Sequence, residues 1–289
     1  MRSSPVLPIR VLTHNVRHLT DELFQGELHW SDRSQLVINE LNYHSRGHNE
    51  TFICLQEVLH EQLNDILEGL NLSSSQKWSW IGVGRDDGKK EGEYSPIFYQ
   101  PSIWDLLCAE TVWLSETPTK PSKSWDSASI RIVTIGVFNH KISGSTVLAL
   151  NTHLDDQGSR ARLEGARIIR AKIQQYHQGT YGPLLSGTFL TGDLNSEETQ
   201  EAYLEFTQEG GLLDTYKLVP TSQRYGDHNT YTGFGYEGEP PTRIDFVLLV
   251  VGGNQKWRTD GYSVLQNKFD GEVLNSDHRA VVADLALVK

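Results

Sequence analysis

Residues 187–195 read GTFLTGDLN: a short, β-favouring apolar run that ends on Asp193, Leu194 and Asn195. A run of this length, bounded by Gly and by Asp/Asn, reads as a buried strand rather than a helix. One strand ending in Asp or Asn is an ordinary turn signal. Here the ending recurs. RVLTHN closes on Asn15, FICLQE on Glu57 and VLALNTH on His153, while RIDFVLL carries Asp245 near its start. NSDHRAV sets Asp277 and His278 just ahead of the last apolar run. Strand ends and the loops after them are where a rigid scaffold presents reactive groups.

Outward from that stretch, strand-like runs cover 9–15, 51–57, 78–84, 95–100, 106–114, 130–139, 146–153, 187–193, 244–250, 263–266 and 280–287. Helical periodicity marks 33–41, 61–70 and 160–176, and more weakly 197–208. In 160–176, Leu163, Ala166, Ile169, Ile173 and Tyr176 recur at three- to four-residue steps opposite Arg and Lys. No repeat or Pro/Gly-rich linker divides the chain. One α/β domain over 1–289 is expected, with two stacked sheets and the helices outside.

The 289 residues are 37% hydrophobic and 22% charged, enough to bury a core without a disulfide or metal staple. Cys54 and Cys108 sit in apolar stretches and read as buried free thiols. The longest apolar runs, such as 247–251, are strand-length, so no membrane span is expected. The N-terminus lacks the continuous apolar segment of a secretory leader. A cytoplasmic or nuclear location is expected, with a secreted mature form as the alternative. The net charge of −11, with Lys and Arg scattered, argues against a non-specific binder of long duplex DNA. Nothing calls for an obligate protein partner.

Glu57, Asp193, Asn195 and Asp277 with Asn15 make an oxygen-only donor set. Such a set suits a hard cation, Mg²⁺ or Mn²⁺, which takes few protein ligands and leaves room for a substrate phosphate. No HExxH or Cys/His cluster supports zinc. A phosphoryl group under attack needs a cation on its oxygens, a positioned water and donors for the developing charge. Asp193-Leu194-Asn195 offers a base and an amide from one turn, and His278 beside Asp277 offers an imidazolium. Serine hydrolase, NTPase and Rossmann readings lack their loops.

Taken in order, THN, LQEV, NTHLDDQG, GDLNS, RIDFVLL and SDHRAV resemble the endonuclease/exonuclease/phosphatase superfamily, from Thr13 to Val282. That group includes deoxyribonucleases, apurinic endonucleases, mRNA deadenylases, sphingomyelinases and inositol polyphosphate phosphatases. EYSPIFYQ, WLSETP and NTHLDDQGSRARLEGARII resemble a compact branch of it. The resemblance implies a four-layer αββα sandwich of two mixed, mainly antiparallel sheets flanked by helices. It implies Asn15, Glu57 and Asp277 at the metal, Asp193 on the attacking water, and His153, Asn195 and His278 on the phosphate. Asp245 would orient His278. Arg17 departs from the branches that carry an acid there. It joins Arg131 and Tyr99 as a candidate substrate contact.

Plainer readings compete: Glu57 as a cap of the next helix, Asp245 as a surface partner of Arg243, and Arg131 and Tyr99 as loop bridges. Asp155 is a secondary candidate, and His14, His18 and His228 carry no distinguishing motif. Trp104, Trp113 and Trp125 read as packing rather than base stacking. The expected substrate is phosphorylated. Diester cleavage of a nucleic acid or nucleotide ranks first, and phosphomonoester removal from a small metabolite or inositol phosphate second. A catalytically silent phosphate-binding protein comes third. The loops at 84–94, 115–129 and 221–241 hold that choice.

Overall fold

The computed structural model describes residues 6–73, 77–253 and 255–288. Residues 1–5, on which the question of a leader turns, lie outside them. The first half runs β1 (Val6–Asn15), α1 (Trp30–Ser45), β2 (Thr51–Gln56), α2 (His60–Ser73), β3 (Ser79–Ile81), β4 (Ile97–Tyr99) and β5 (Trp104–Trp113). The central part holds β6 (Ile132–His140), β7 (Thr146–His153), α3 (Ser159–Gln178), β8 (Leu185–Asp193) and α4 (Glu201–Thr207). Then come β9 (Leu213–Asp214), α5 (Thr215–Leu218), β10 (Arg224–Gly226), β11 (Asp245–Leu249), β12 (Trp257–Val264) and β13 (Val281–Val288).

The apolar runs become strands as their composition demands, except that the one expected at 263–266 is the end of β12, Trp257–Val264, whose half-exposed first residues carry no apolar run. β9 and β10 lie where the sequence reads as loop, because two or three residues show no periodicity. The last helical expectation begins four residues late, at Glu201, because the Gln200 side chain first folds back to accept the Glu197 N–H at 2.8 Å.

Seven strands form one sheet in the order β10-β12-β13-β1-β2-β4-β3, and six form the other, β5-β6-β7-β8-β11-β9. Among the described residues only β1/β2, β10/β12 and β7/β8 pair in parallel. Period-2 alternation sends Ile9, Val11, Phe52, Ala149, Phe189 and Val247 into the space between the sheets. The Phe52 ring lies 4.9 to 5.5 Å from those of Trp104, Phe138 and Phe189. Leu12, Ile53 and Leu55 face outward instead and meet Val37, Leu41, Leu63 and Ile66 of α1 and α2. Leu148, Leu150 and Leu190 meet Ala166, Ile169 and Ile173 of α3. Each Leu, Ile, Val or Phe among them contributes roughly 1.5–3 kcal/mol on burial. The fold is the expected helix–sheet–sheet–helix sandwich. Among the described residues no helix is long and apolar enough to cross a membrane. Both cysteines are free, Cys54 buried but Cys108 only half-buried, 3.7 Å from the Tyr176 hydroxyl.

Strand register assembles the polar endings. Asn15 pairs with Gln56, which places Glu57 beside it. His153 and Asp245 both lie opposite Asp193, one on each neighbouring strand, so the three make one row across the second sheet. β13 runs antiparallel to β1, which brings Asp277 and His278 to the end of the first sheet where Asn15 lies. Gly192 permits the close approach at this row: its φ is 144°, and a Cβ there would sit 1.9 Å from the Thr152 carbonyl oxygen. Gly192→Ala is expected to cost roughly 3 kcal/mol or more, read as a fall in the urea midpoint. An unchanged midpoint would contradict this packing.

Candidate active site

The row opens into a cleft of about 560 Å³ between the ends of the two sheets. Asp193 is its hub. Its Oδ2 accepts from Asn15 Nδ2 at 3.0 Å and lies 3.5 Å from His153 Nε2 and 3.6 Å from His278 Nε2. Its Oδ1 accepts the Asn195 N–H at 2.9 Å, held by a left-handed turn at Asn195 (φ 44°). The Asn195 Nδ2 donates to the Leu154 carbonyl at 3.0 Å and lies 3.0 Å from His153 Nε2. His153 Nδ1 faces Glu93 Oε2 at 3.7 Å.

His278 Nδ1 donates to Asp245 Oδ2 at 2.8 Å. The partner of His278 is therefore Asp245, as the resemblance implied, and not the adjacent Asp277. Nor does Asp245 pair with Arg243, whose guanidinium is buried on Asp214 at 2.8 Å and on Glu198 at 2.7 Å. Burial alone would lower the His278 pKa. The charges of Asp245 and Asp193 and the Asp245 hydrogen bond overcome it and raise the imidazole to about 10. His278 is thus cationic throughout the neutral range. Asp193 is raised, first by burial and then by Asp245, against the pull of His153 and His278. A raised carboxylate is a stronger base.

Glu57 stands across the cleft, its backbone left-handed (φ 60°). Oε1 accepts from Asn15 Nδ2 at 2.9 Å, and Oε2 accepts from the His18 backbone N–H at 3.1 Å and its ring Nδ1 at 2.7 Å. Burial pushes Glu57 up, but the His18 hydrogen bond and the charges of His153, His18 and Arg17 hold it well below the usual range. Burial raises Asp277, and the charge of Glu57 adds to it, against His278, Arg17 and Arg33. Two carboxylates that repel one another across a cleft fit a hard divalent cation. The Asn15 amide turns its nitrogen to Glu57 and Asp193 and its oxygen to the Arg17 N–H at 3.0 Å, so it offers a third oxygen to a cation only with the amide reversed. The tightest group of possible ligand atoms among the described residues is different: Asp193, Asp245 and His278, within 4.8 Å of one another. The His278–Asp245 hydrogen bond ties that group together, while the carboxylates of Glu57 and Asp277 line the same cleft.

Of the substrate contacts expected from sequence, Arg17 and Arg131 line the cleft and Tyr99 does not. Arg17 pairs with Glu27 at 3.2 Å and approaches Glu57 at 3.8 Å. Tyr99 shares its strand face with Ile97, so its ring enters the inter-sheet core, 4.9 Å from Phe138. EYSPIFYQ contributes Glu93 to the cleft instead, through the Val58–Tyr94 bridge that sets its backbone beside the end of β2. Asp155 is a loop staple: it accepts from the N–H groups of Ala128, Ser129, Gln157 and Gly158 and from the Ser127 hydroxyl. His18 is a cleft residue despite its lack of a motif, recruited by the left-handed turn at Arg17 (φ 57°). His14 is buried against Glu40 and His228 lies outside, near Glu198. Trp104 packs in the inter-sheet core, and Trp113 Nε1 donates to the Arg85 carbonyl. From 221–241 the cleft takes Tyr231, whose ring meets His278 edge-on at 5.0 Å, and Glu239.

Known proteins share this fold. A crystal structure of an endonuclease/exonuclease/phosphatase from Bacteroides vulgatus is 31% identical, with a TM-score of 0.82 over 96% of this chain and 98% of that one. A Bacteroides thetaiotaomicron protein of the same family is 29% identical, with a TM-score of 0.84 over 99% and 97%. A mannosyl-6-phosphatase of B. thetaiotaomicron is 30% identical, with a TM-score of 0.82 over 96% and 99%. Among curated proteins none matches the sequence. The model of the Endonuclease/Exonuclease/phosphatase family matches residues 12–263, and the chain belongs to that family.

Proposed function

We propose that this protein is a divalent-metal-dependent phosphomonoesterase that acts on a small phosphorylated metabolite. Members of the family are phosphoester hydrolases and generally depend on a divalent metal. The observation that carries the monoester reading is the acidity of the cleft wall. Around the Asp193–His153–His278 cluster stand Glu93, Asp156, Glu197 and Glu239. A nucleic acid would thread its flanking phosphates past these carboxylates, whereas one terminal phosphate meets only the cationic centre. This reverses the order expected from sequence, where nucleic acid came first. The 30% identity to a mannosyl-6-phosphatase makes a hexose monophosphate the first substrate to try.

In this reading Glu57, Asp277 and the Asn15 amide oxygen would hold Mg²⁺ or Mn²⁺. The cation, when bound, supplies positive charge to the non-bridging phosphate oxygens. Asp193 takes the proton of the attacking water, its basicity raised by burial. His278, kept cationic by Asp245, and His153, fixed by Asn195, face the phosphate, and Arg17 adds charge at the metal side.

Phosphate release from hexose monophosphate and p-nitrophenyl phosphate tests the proposal. Release with Mg²⁺ or Mn²⁺, its loss in EDTA and its return on adding metal are expected. Failure of every monoester, or indifference to EDTA, would refute it.

A further inference from the structure

One guanidinium in the cleft has unfinished hydrogen bonding. Arg131 is only 6% exposed and lines the cleft just ahead of β6. Its Nη2 donates to Asp156 Oδ1 at 2.8 Å. Its Nε and Nη1 are buried without an acceptor in hydrogen-bond geometry. The nearest carboxylate oxygens stand too far off, Asp155 Oδ2 at 3.6 Å from Nε and Glu93 Oε2 at 3.8 Å from Nη1. An unmet buried donor costs about 1–3 kcal/mol. A ligand oxygen that enters beside Arg131 would recover part of that cost.

The surroundings decide which oxygen. Glu93 Oε2 is held by Arg85 Nη1 at 2.6 Å and faces His153 Nδ1 at 3.7 Å, so this corner adjoins the cluster around Asp193. Three carboxylates, Glu93, Asp155 and Asp156, crowd two guanidiniums, Arg85 and Arg131. A second phosphate or a carboxylate would meet net negative charge there. A hydroxyl would not: it can accept from Arg131, and neighbouring hydroxyls can donate to Glu93 and Asp156. A donor flanked by acceptors is the pattern that reads adjacent hydroxyls.

We infer that Arg131, Glu93 and Asp156 form the leaving-group subsite, which takes a neutral polyhydroxylated unit, glycosyl or alditol, and rejects one with a second anionic group. The inference rests on the monoesterase reading and adds to it a basis for specificity. Arg131 hydrogen-bonds Asp156 and touches the Asp193 cluster only through Glu93, so substitutions at Arg131 and Asp156 are expected to fall on the leaving group more than on phosphate chemistry.

The test compares kcat/KM for a hexose monophosphate, a hexose bisphosphate and p-nitrophenyl phosphate in wild type, Arg131→Lys and Asp156→Asn. The wild type is expected to prefer the hexose monophosphate over the bisphosphate by about 30-fold or more. Asp156→Asn narrows that preference by about tenfold through faster turnover of the bisphosphate, a gain that misfolding cannot mimic. Arg131→Lys keeps the charge but loses the planar fork. It lowers the hexose monophosphate relative to p-nitrophenyl phosphate by about tenfold, chiefly in KM. An unchanged bisphosphate preference in Asp156→Asn, or equal losses on both monoesters in Arg131→Lys, overturns the subsite and leaves the monoesterase reading standing. A wild type that releases phosphate from no monoester overturns both.

Discussion

Asp193→Asn is expected to lower kcat for phosphate release by roughly a thousandfold while the protein remains folded. The carboxamide keeps the shape of the side chain but cannot take the proton of the attacking water. Its oxygen can still accept from Asn15 or from the Asn195 N–H, the two bonds that fix Asp193 now. The loss therefore falls on chemistry, and KM changes little. Turnover and urea unfolding, measured on the same preparation, separate the outcomes. A decrease of less than about tenfold would remove Asp193 from the role of base. A collapse of the unfolding midpoint would instead show that the carboxylate is needed to hold the row of strand ends together.

Asp245→Asn is the second large effect, and it shows most clearly in a pH profile. In the wild type the Asp245 and Asp193 charges outweigh burial and hold His278 protonated up to about 10. Activity that depends on the imidazolium then persists through the alkaline range. Without the Asp245 charge, burial acts against a weaker opposing pull, and the His278 pKa falls toward neutrality. The sign follows: the variant loses activity as pH rises, whereas at low pH its imidazole is charged and the deficit shrinks. The expected loss is on the order of a hundredfold at about pH 8 and several-fold less at about pH 6. A uniform loss at all pH values would mean that Asp245 positions His278 but does not set its charge.

Much of this arrangement was legible in the sequence. Strongly apolar strands that end in Asn15, Glu57, His153 and Asp193 announce both the sheets and the edge on which the polar groups meet. Pairing register then does what no linear reading shows, setting His153 and Asp245 opposite Asp193. What stayed hidden has physical reasons. The orientation of Tyr99 depends on which face of a three-residue strand looks inward, and so short a strand carries no periodicity to reveal it. Glu93 reaches the cleft through a single bridge between loop residues, Val58 and Tyr94. His18 is turned onto Glu57 by a left-handed Arg17, a conformation that a non-glycine residue does not advertise. Asp155, an acid in the HLDD loop, is a secondary candidate by sequence, but five hydrogen bonds from 127–129 and 157–158 consume it.

The surface loops make the difference between ranking substrates from sequence and from structure. A net charge of −11 spread over the chain says little about one cleft. The placement of Glu93, Asp156, Glu197 and Glu239 around the phosphate-facing histidines says much more. In the proposed reading those four acids oppose a run of phosphates along the cleft.

The most direct test is the ratio of kcat/KM for a hexose monophosphate to that for bis-p-nitrophenyl phosphate, with Mg²⁺ and the wild-type protein. The acidic cleft predicts a ratio above about 100 in favour of the monoester. A diester cleaved as fast as the monoester, or faster, would contradict it.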